Sequence, residues 1–263
     1  MDVIRVCYDA GFFSCCAVRL CQIIRFFNKN NKLPSIVDSS GLWGKYKDQG
    51  DADVTNYFFE DSSKIKQDIE EVDYCDEQFS NYGSIDINKI KKFVKKYFSP
   101  SKEIVVYQNF LLNKYNINLD KTISVFYRTH DKIFETSVPS YQDMLGKIRE
   151  LKEKNKDHRV LVQSADPEFC KLVSSEYKDT IVFEEIMKFD GSIMQELGTL
   201  VPEGQRKNQA LIFLSIILII SNSSRVILNS GNIGLWIVFL RGSTYNIHQH
   251  LNGRWLDFMD QKA

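Results

Sequence analysis

Ile123-Ser124-Val125-Phe126-Tyr127-Arg128-Thr129-His130-Asp131-Lys132 is an apolar run of β-branched and aromatic residues that gives way at once to ionisable side chains. Its first half has the make-up of a buried strand and its second half that of a loop at the strand's carboxyl end. From Ser140 onward, helical and strand patterns alternate. Ser140 and Asp143 form a capping signature for a helix carrying Tyr141, Met144, Leu145, Ile148 and Leu151 on one face. Arg159 to Gln163 reads as the next strand, and Pro167 opens a helix through Phe169, Leu172 and Val173. Thr180 to Phe183 reads as a strand, Gln209 to Ile220 as an apolar helix, Arg225 to Leu228 as a strand, and Ser230-Gly231-Asn232 as a turn into a helix from Ile233 to Leu240. Strands separated by helices predict a doubly wound parallel sheet over residues 119–242.

The same rhythm opens the chain. Val3 to Tyr8 is a short β-rich run, Asp9-Ala10-Gly11 interrupts it, and Ala17, Leu20, Cys21, Ile24 and Phe27 recur at helical spacing before Ser35-Ile36-Val37-Asp38. This βαβ start predicts a second α/β domain over residues 1–118, ending in the polar passage from Asn116 to Lys121. Residues 39–83 carry few clear periods and predict loops and short helices. Ile87, Ile90, Phe93, Val94 and Tyr97 line one face of a helix whose other face is lysine-rich and solvated. Residues 243–263 form an amphipathic tail expected to pack back across both halves.

Composition narrows the function classes. The 263 residues carry 34 Lys plus Arg against 34 Asp plus Glu, so there is no net positive field to attract a nucleic acid or an anionic membrane. The start Met1-Asp2-Val3-Ile4-Arg5 lacks the layout of a signal peptide, and Ala210 to Ile220 is too short to span a bilayer, which needs about 20 apolar residues. A cytoplasmic protein is expected. Cys7, Cys15, Cys16, Cys21, Cys75 and Cys170 contain no CxxC pair and read as buried free thiols in a reducing compartment. His248-x-His250 is too isolated to read as a metal site.

Open parallel sheets bind ligands at the carboxyl ends of their strands. The residues that fall there are Gly11, Phe12, Phe13 and Ser14, then Arg128 to Lys132, then Ser164 to Asp166, then Asn229 to Gly234. Arg128 supplies a fork of donors suited to a diphosphate, and Lys132 a further charge. Ser230, Gly231 and Asn232 precede a helix, whose N-terminal N–H groups and dipole favour phosphate. Together these describe a cleft for a phosphate-bearing substrate.

The stretch Ser124 to Lys132 resembles the strand-plus-loop motif of the α1,6-fucosyltransferase and protein O-fucosyltransferase superfamily, which runs hydrophobic-His-hydrophobic-Arg-Arg-x-Asp-Lys. Val160 to Pro167 is similar to that family's strand ending in Thr-Asp-Asp, and Val226 to Ile233 to its late strand ending in a Ser-Ser-(Gln/Asn) turn. The resemblance spans Ile123 to Leu240. It implies a GT-B fold of two Rossmann-like doubly wound domains facing a cleft, the N-terminal one on the acceptor side and the C-terminal one on the donor side. It also implies an inverting glycosyltransferase that needs no metal or resident cofactor and moves a sugar, GDP-fucose being the favoured donor, to a hydroxyl of a glycan acceptor. In that scheme Arg128 holds the β-phosphate, with Lys132, Ser164, Asp166 and the turn Ser230, Gly231, Asn232, Ile233 around the donor. His130, Asp131 and Glu135 are the candidates for the base, and Gly11 to Ser14 form a loop closing over sugar or acceptor.

The sequence departs from the motif at Thr129, where the family has its second arginine, and at Phe126, where it has histidine. Ala210 to Ser221 lacks the family's guanine-binding aspartate. UDP-xylose and GDP-mannose therefore remain alternative donors, and a non-catalytic nucleotide-sugar or glycan-binding protein remains an alternative class. A metal-dependent reading would use Asp51-Ala52-Asp53, but the polar stretch before it, Lys45 to Gly50, is no strand. The GxGxxG fingerprint of a dinucleotide site is absent.

Overall fold

A computed structural model describes residues 2–60, 68–75, 77–128, 136–186 and 201–259. They divide into two compact units. The first contains 2–60, 68–75, 77, 86–107 and 201–215, and the second 78–85, 108–128, 136–186 and 216–259. The single boundary expected near residue 118 is thus replaced by several crossings of the chain.

In the first unit, β1 (Val3–Tyr8) pairs in parallel with β2 (Ile36–Leu42) through α1 (Phe12–Asn30), the βαβ start that the sequence predicts. α1 buries Cys15, Cys16, Leu20, Ile23, Ile24 and Phe27, and ends where Asn31 turns left-handed so that its N–H reaches the Phe27 carbonyl. The doubly wound sheet expected of residues 1–118 is otherwise missing among the described residues. After β2 come α2 (Thr55–Phe58), β3 (Phe59–Glu60), α3 (Ile87–Tyr97) and β4 (Ser99–Pro100), with β3 and β4 forming a separate antiparallel pair. Rings replace strands as the core here. Phe12 packs edge-on to Phe58 with centroids 4.9 Å apart, and Trp43 lies 6.0 Å from Phe12. Arg19 is buried too, its guanidinium over the rings of Tyr97 and Phe98 and donating to Ser39 Oγ (3.0 Å) and to the Tyr97 carbonyl (2.8 Å).

The second unit is built on one six-stranded sheet, ordered β10-β9-β8-β5-β6-β7. These strands are β5 (Thr122–Tyr127), β6 (Arg159–Ser164), β7 (Ile181–Val182), β8 (Arg225–Asn229), β9 (Ile247–Leu251) and β10 (Arg254–Phe258). All neighbours run parallel except β10, which is antiparallel to β9. The connecting helices are α5 (Tyr141–Lys154), α6 (Pro167–Glu176) and α8 (Asn232–Arg241), while α4 (Lys102–Lys114) and α7 (Arg206–Asn222) each have residues in both units. β5 is buried at every position, so both faces must be covered, and its polar side chains Thr122 and Ser124 are satisfied inside the unit, by the Asn118 carbonyl and the Ser223 hydroxyl. On one face Ile123, Val125 and Tyr127 meet Met144, Leu145, Ile148 and Leu151 of α5 and Phe169 and Val173 of α6. The capping box at Ser140 and Asp143 is present as the sequence predicts. α7 is apolar nearly all round from Ala210 onward because those turns are buried, and the carbonyls of Ser221 near its end and of Ser223 just beyond it accept from the Arg241 guanidinium at 2.8 and 2.6 Å.

The tail corrects an expectation. Residues 243–259 do not lie across both halves but supply β9 and β10 to this sheet, joined by Asn252-Gly253 with φ of 50° and 78°. Two left-handed residues make the tight hairpin turn that Asn-Gly favours. The thiol expectation holds for Cys15, Cys16 and Cys170, which are buried, but not for Cys7 and Cys75, which are exposed; all six are free.

His248 on β9 is 1% exposed, and its Nδ1 lies 2.6 Å from Asp257 Oδ1. Asp257 also accepts from Lys147, which in turn pairs with Glu150. Burial lowers the His248 pKa despite the opposing pull of Asp257, and burial likewise lowers that of His250. Both imidazoles therefore fold neutral, while the unfolded chain takes up their protons as pH falls through about 6.5. A depressed folded pKa gives stability that is complete above the unfolded value and is lost below it. We expect the free energy of unfolding to fall from pH 7 to pH 5, by at most about 1.4 kcal/mol per pH unit for each histidine. A flat profile across that window in denaturant melts would contradict it, and His248→Gln should flatten it in part.

Candidate active site

Counted along the second unit, the order of the five parallel strands places the first strand, β5, beside the fourth, β8. The connections leave these two strands toward opposite edges of the sheet, so a crevice opens at their carboxyl ends. Arg128 follows β5 there and Asn229 ends β8. The Asn229 carboxamide, 2% exposed, accepts from the Arg128 N–H at 3.0 Å and donates to the Arg128 carbonyl at 2.8 Å. One side chain thereby satisfies both polar groups of a peptide that has left the sheet ladder, and fixes where the arginine starts.

The turn after β8 is equally determined. The Ser230 N–H and hydroxyl both donate to the His250 carbonyl, at 3.1 and 2.8 Å, and the Gln249 amide donates to the Ser230 hydroxyl at 2.9 Å. Ser230 therefore turns its polar groups into the unit, and any anion at this turn would meet backbone N–H groups further on. Gly231 takes φ 145°, which an L side chain rarely adopts, and precedes α8 as its N-cap. The first-turn N–H groups, those of Asn232, Ile233 and Gly234, have no acceptor within an α-helix and carry the positive end of its dipole. Gly234 has to be glycine for a different reason. A Cβ on it would stand 2.8 Å from the Asn229 carbonyl oxygen, so only hydrogen lets α8 pack this closely on β8. Beneath the turn is Tyr82, fully buried, whose hydroxyl accepts from the Gly231 N–H at 3.2 Å. Burial pushes its pKa up, so it stays a neutral phenol.

Ser164 and Asp166 end β6 on the other side of β5. The Ser164 hydroxyl accepts from the Asp166 N–H, and Asp166 caps α6 by accepting from the N–H groups of Glu168 (3.0 Å) and Phe169 (3.2 Å). Its other oxygen accepts from the Tyr141 hydroxyl, whose pKa burial pushes up to about 12. Both carboxylate oxygens are thus engaged in holding the start of α6. The switch point brings together Arg128, Ser230, Gly231, Asn232 and Ile233 of the expected set. Thr129, His130, Asp131, Lys132 and Glu135 lie outside the described residues.

The expected cleft loop is corrected. Phe12, Phe13 and Ser14 are the first turn of α1, with Gly11 as its N-cap, and both phenylalanines are 2% exposed. The Phe12 N–H donates to the Tyr46 hydroxyl and its carbonyl accepts from Trp43, so the segment is built into the aromatic core rather than hinged to close. Asp51 and Asp53 are also committed locally. Asp51 pairs with Lys207 at 2.9 Å, and Asp53 accepts from the N–H groups of Ser39 and Thr55. Among the described residues no cluster of three His, Cys, Asp or Glu side chains has a metal-binding arrangement, and no helix is long and apolar enough to cross a membrane.

The reading of the sequence missed Tyr82, Gln249 and the pairing role of Asn229. Gln249 alternates between two histidines on a strand, a signal that it faces the opposite side of the sheet from them. Tyr82 lies in a stretch without periodicity, and nothing in its neighbourhood marked it.

A parallel sheet of this order, with a glycine turn and helix N-terminus at its switch point, defines a Rossmann-type α/β unit. No protein-family profile matches the chain, and no curated protein sequence does. Solved structures do. A NodZ α-1,6-fucosyltransferase co-crystallised with GDP aligns over 97% of this chain and 98% of its own, with TM-score 0.59 and 11% identity. A NodZ crystal soaked with GDP-fucose aligns over 97% and 99% with TM-score 0.59 and 11% identity. NodZ from Bradyrhizobium aligns over 97% and 98% with TM-score 0.57 and 10% identity. The chain has the fold of these fucosyltransferases along nearly its whole length.

Proposed function

We propose that this protein is a GT-B-type glycosyltransferase that moves a sugar from a nucleotide sugar, GDP-fucose being favoured, to a hydroxyl of a glycan acceptor. The supporting observation is the clamp at the switch point, where Asn229 holds the Arg128 peptide beside the N-terminus of α8. An arginine fork and a helix N-terminus suit a diphosphate, the leaving group of such a reaction, and neither requires a net positive protein. The fold shared with enzymes crystallised with GDP and GDP-fucose supports the same donor class.

In the proposed reaction the acceptor oxygen attacks the anomeric carbon, the bond from that carbon to the diphosphate oxygen breaks, and the nucleoside diphosphate leaves. Arg128 and the first turn of α8 stabilise the charge that develops on the departing diphosphate, and a base takes the acceptor proton. A single displacement inverts the anomeric configuration and calls for no metal. His130, Asp131 and Glu135 are the proposed bases, and Lys132 a second cation.

One observation favours the alternative of a non-catalytic binding protein. The α7 stretch Ala210 to Ser221, where the family carries its guanine-binding acid, contains none and is almost wholly buried. A thermal-shift panel tests both. A ligand at about 100 times its Kd adds about 2.7 kcal/mol of stability. We expect GDP and GDP-fucose to raise the midpoint. A shift by UDP or UDP-sugars alone would move the donor away from fucose, and no turnover of any sugar nucleotide that binds would favour the non-catalytic reading.

A further inference from the structure

The segment 78–85 belongs to the second unit, although the described residues on both sides of it, 77 and 86–107, belong to the first. It carries one large buried side chain, Tyr82, and that side chain ends at the donor turn. Three hydrogen-bonding groups converge on its hydroxyl. The Gly231 N–H donates to it at 3.2 Å, and its own proton lies between the carbonyls of Gly231 and Gln78, each at 3.1 Å. The same oxygen would stand 3.2 Å from a Cβ on Gly234, so it forms the floor under the first turn of α8. Gln249, also fully buried, fastens the segment from the other side. Its Oε1 accepts from the Tyr82 N–H at 3.0 Å, and its Nε2 donates to the Ser80 carbonyl at 2.8 Å and to Ser230 Oγ at 2.9 Å.

We propose that Tyr82, seated by Gln249, is a positioning residue that holds the Ser230-Gly231 turn in the geometry that receives the donor diphosphate. The inference rests on the donor-site reading above. Gly231 takes a φ open mainly to glycine, and a glycine peptide is the freest in the chain, so its geometry must be imposed from outside. The phenol does this by binding both the N–H and the carbonyl of that one residue. The N–H groups that follow, on Asn232, Ile233 and Gly234, are the first turn of α8. Tyr82 itself is too deeply buried to touch a ligand, so its effect has to pass through the turn.

Tyr82→Phe removes the hydroxyl and keeps the ring. GDP affinity by calorimetry and amide exchange in the ligand-free protein read the outcome. We expect affinity to fall on the order of ten- to a hundred-fold, as for loss of a buried hydrogen-bond partner. We also expect exchange to quicken in residues 229–235 while β5 and β6 keep theirs. Gln249→Met should act in the same direction. Unchanged GDP affinity in Tyr82→Phe would overturn the inference, and so would an affinity loss accompanied by faster exchange throughout the sheet, which is a structural defect. If the wild-type protein binds neither GDP nor any sugar nucleotide, the donor-site reading falls and this inference with it. Wild-type binding with an indifferent variant sinks the positioning role alone.

Discussion

Arg128→Ala should lower kcat/KM for sugar transfer by on the order of 10²–10³-fold, the usual cost of deleting one pre-aimed donor to a developing negative charge. The unfolding midpoint should stay where it is. The fold should survive because Asn229 continues to hold the backbone N–H and carbonyl at this position whatever the side chain. The guanidinium is carried by a backbone fixed at the switch point, and the residue is only half-buried. Arg128→Lys should recover part of the loss, since it restores the charge but not the fork that grips two phosphate oxygens. Steady-state kinetics with whichever sugar nucleotide the protein turns over, paired with thermal unfolding, decide the matter. A loss below ten-fold would remove Arg128 from the centre of the site.

Asn229→Leu is the complementary case, with its main effect on stability. Leucine has nearly the same volume, so packing persists, but the N–H and carbonyl of Arg128 lose their partner together. Each unpaired buried polar group costs about 1–3 kcal/mol, and since this peptide is only part-buried the pair should cost roughly 2–4 kcal/mol in urea melts. Donor affinity should fall as well, because the arginine no longer starts from one place. Asn229→Asp keeps the acceptor, loses the donor and sets a carboxylate where a diphosphate is proposed to bind. It should therefore weaken nucleotide binding more than it weakens the fold. If Asn229→Leu melts like the wild type, the clamp contributes nothing.

Much of the second unit was legible in the sequence because its signals are local. Ser140 with Asp143, Pro167 after Asp166, and the β-rich runs of β5, β6 and β8 each report one element's own requirements, and the observed elements begin within a few residues of those readings. Asn252-Gly253 is an equally local hairpin signal, lying inside the stretch expected to pack back across both halves. Elsewhere the failure has a physical cause. Phe12 and Phe13 follow a strand and a glycine, the place where loops carry function, but Phe12 packs on Trp43, Tyr46 and Phe58 and Phe13 on Phe213, which no pattern at residues 11–14 encodes. Asp166 was placed at the correct strand end, yet what its oxygens bind was decided by Tyr141, 25 residues earlier. The Tyr82 contacts reach 149 residues along the chain to Gly231 and 167 to Gln249, and a single sequence carries no mark of such partners.

The division of the chain has a consequence for how the protein can be taken apart. Residues 78–85 serve the second unit from within a stretch that otherwise builds the first, and residues 201–215 do the reverse from within a stretch that otherwise builds the second. No single scission yields two complete halves. A cut at residue 118 would leave the N-terminal fragment without the 201–215 segment and the C-terminal fragment without the phenol under its glycine turn. The two fragments should therefore recover nucleotide binding only when mixed, a complementation behaviour foreign to proteins whose domains follow one another like beads.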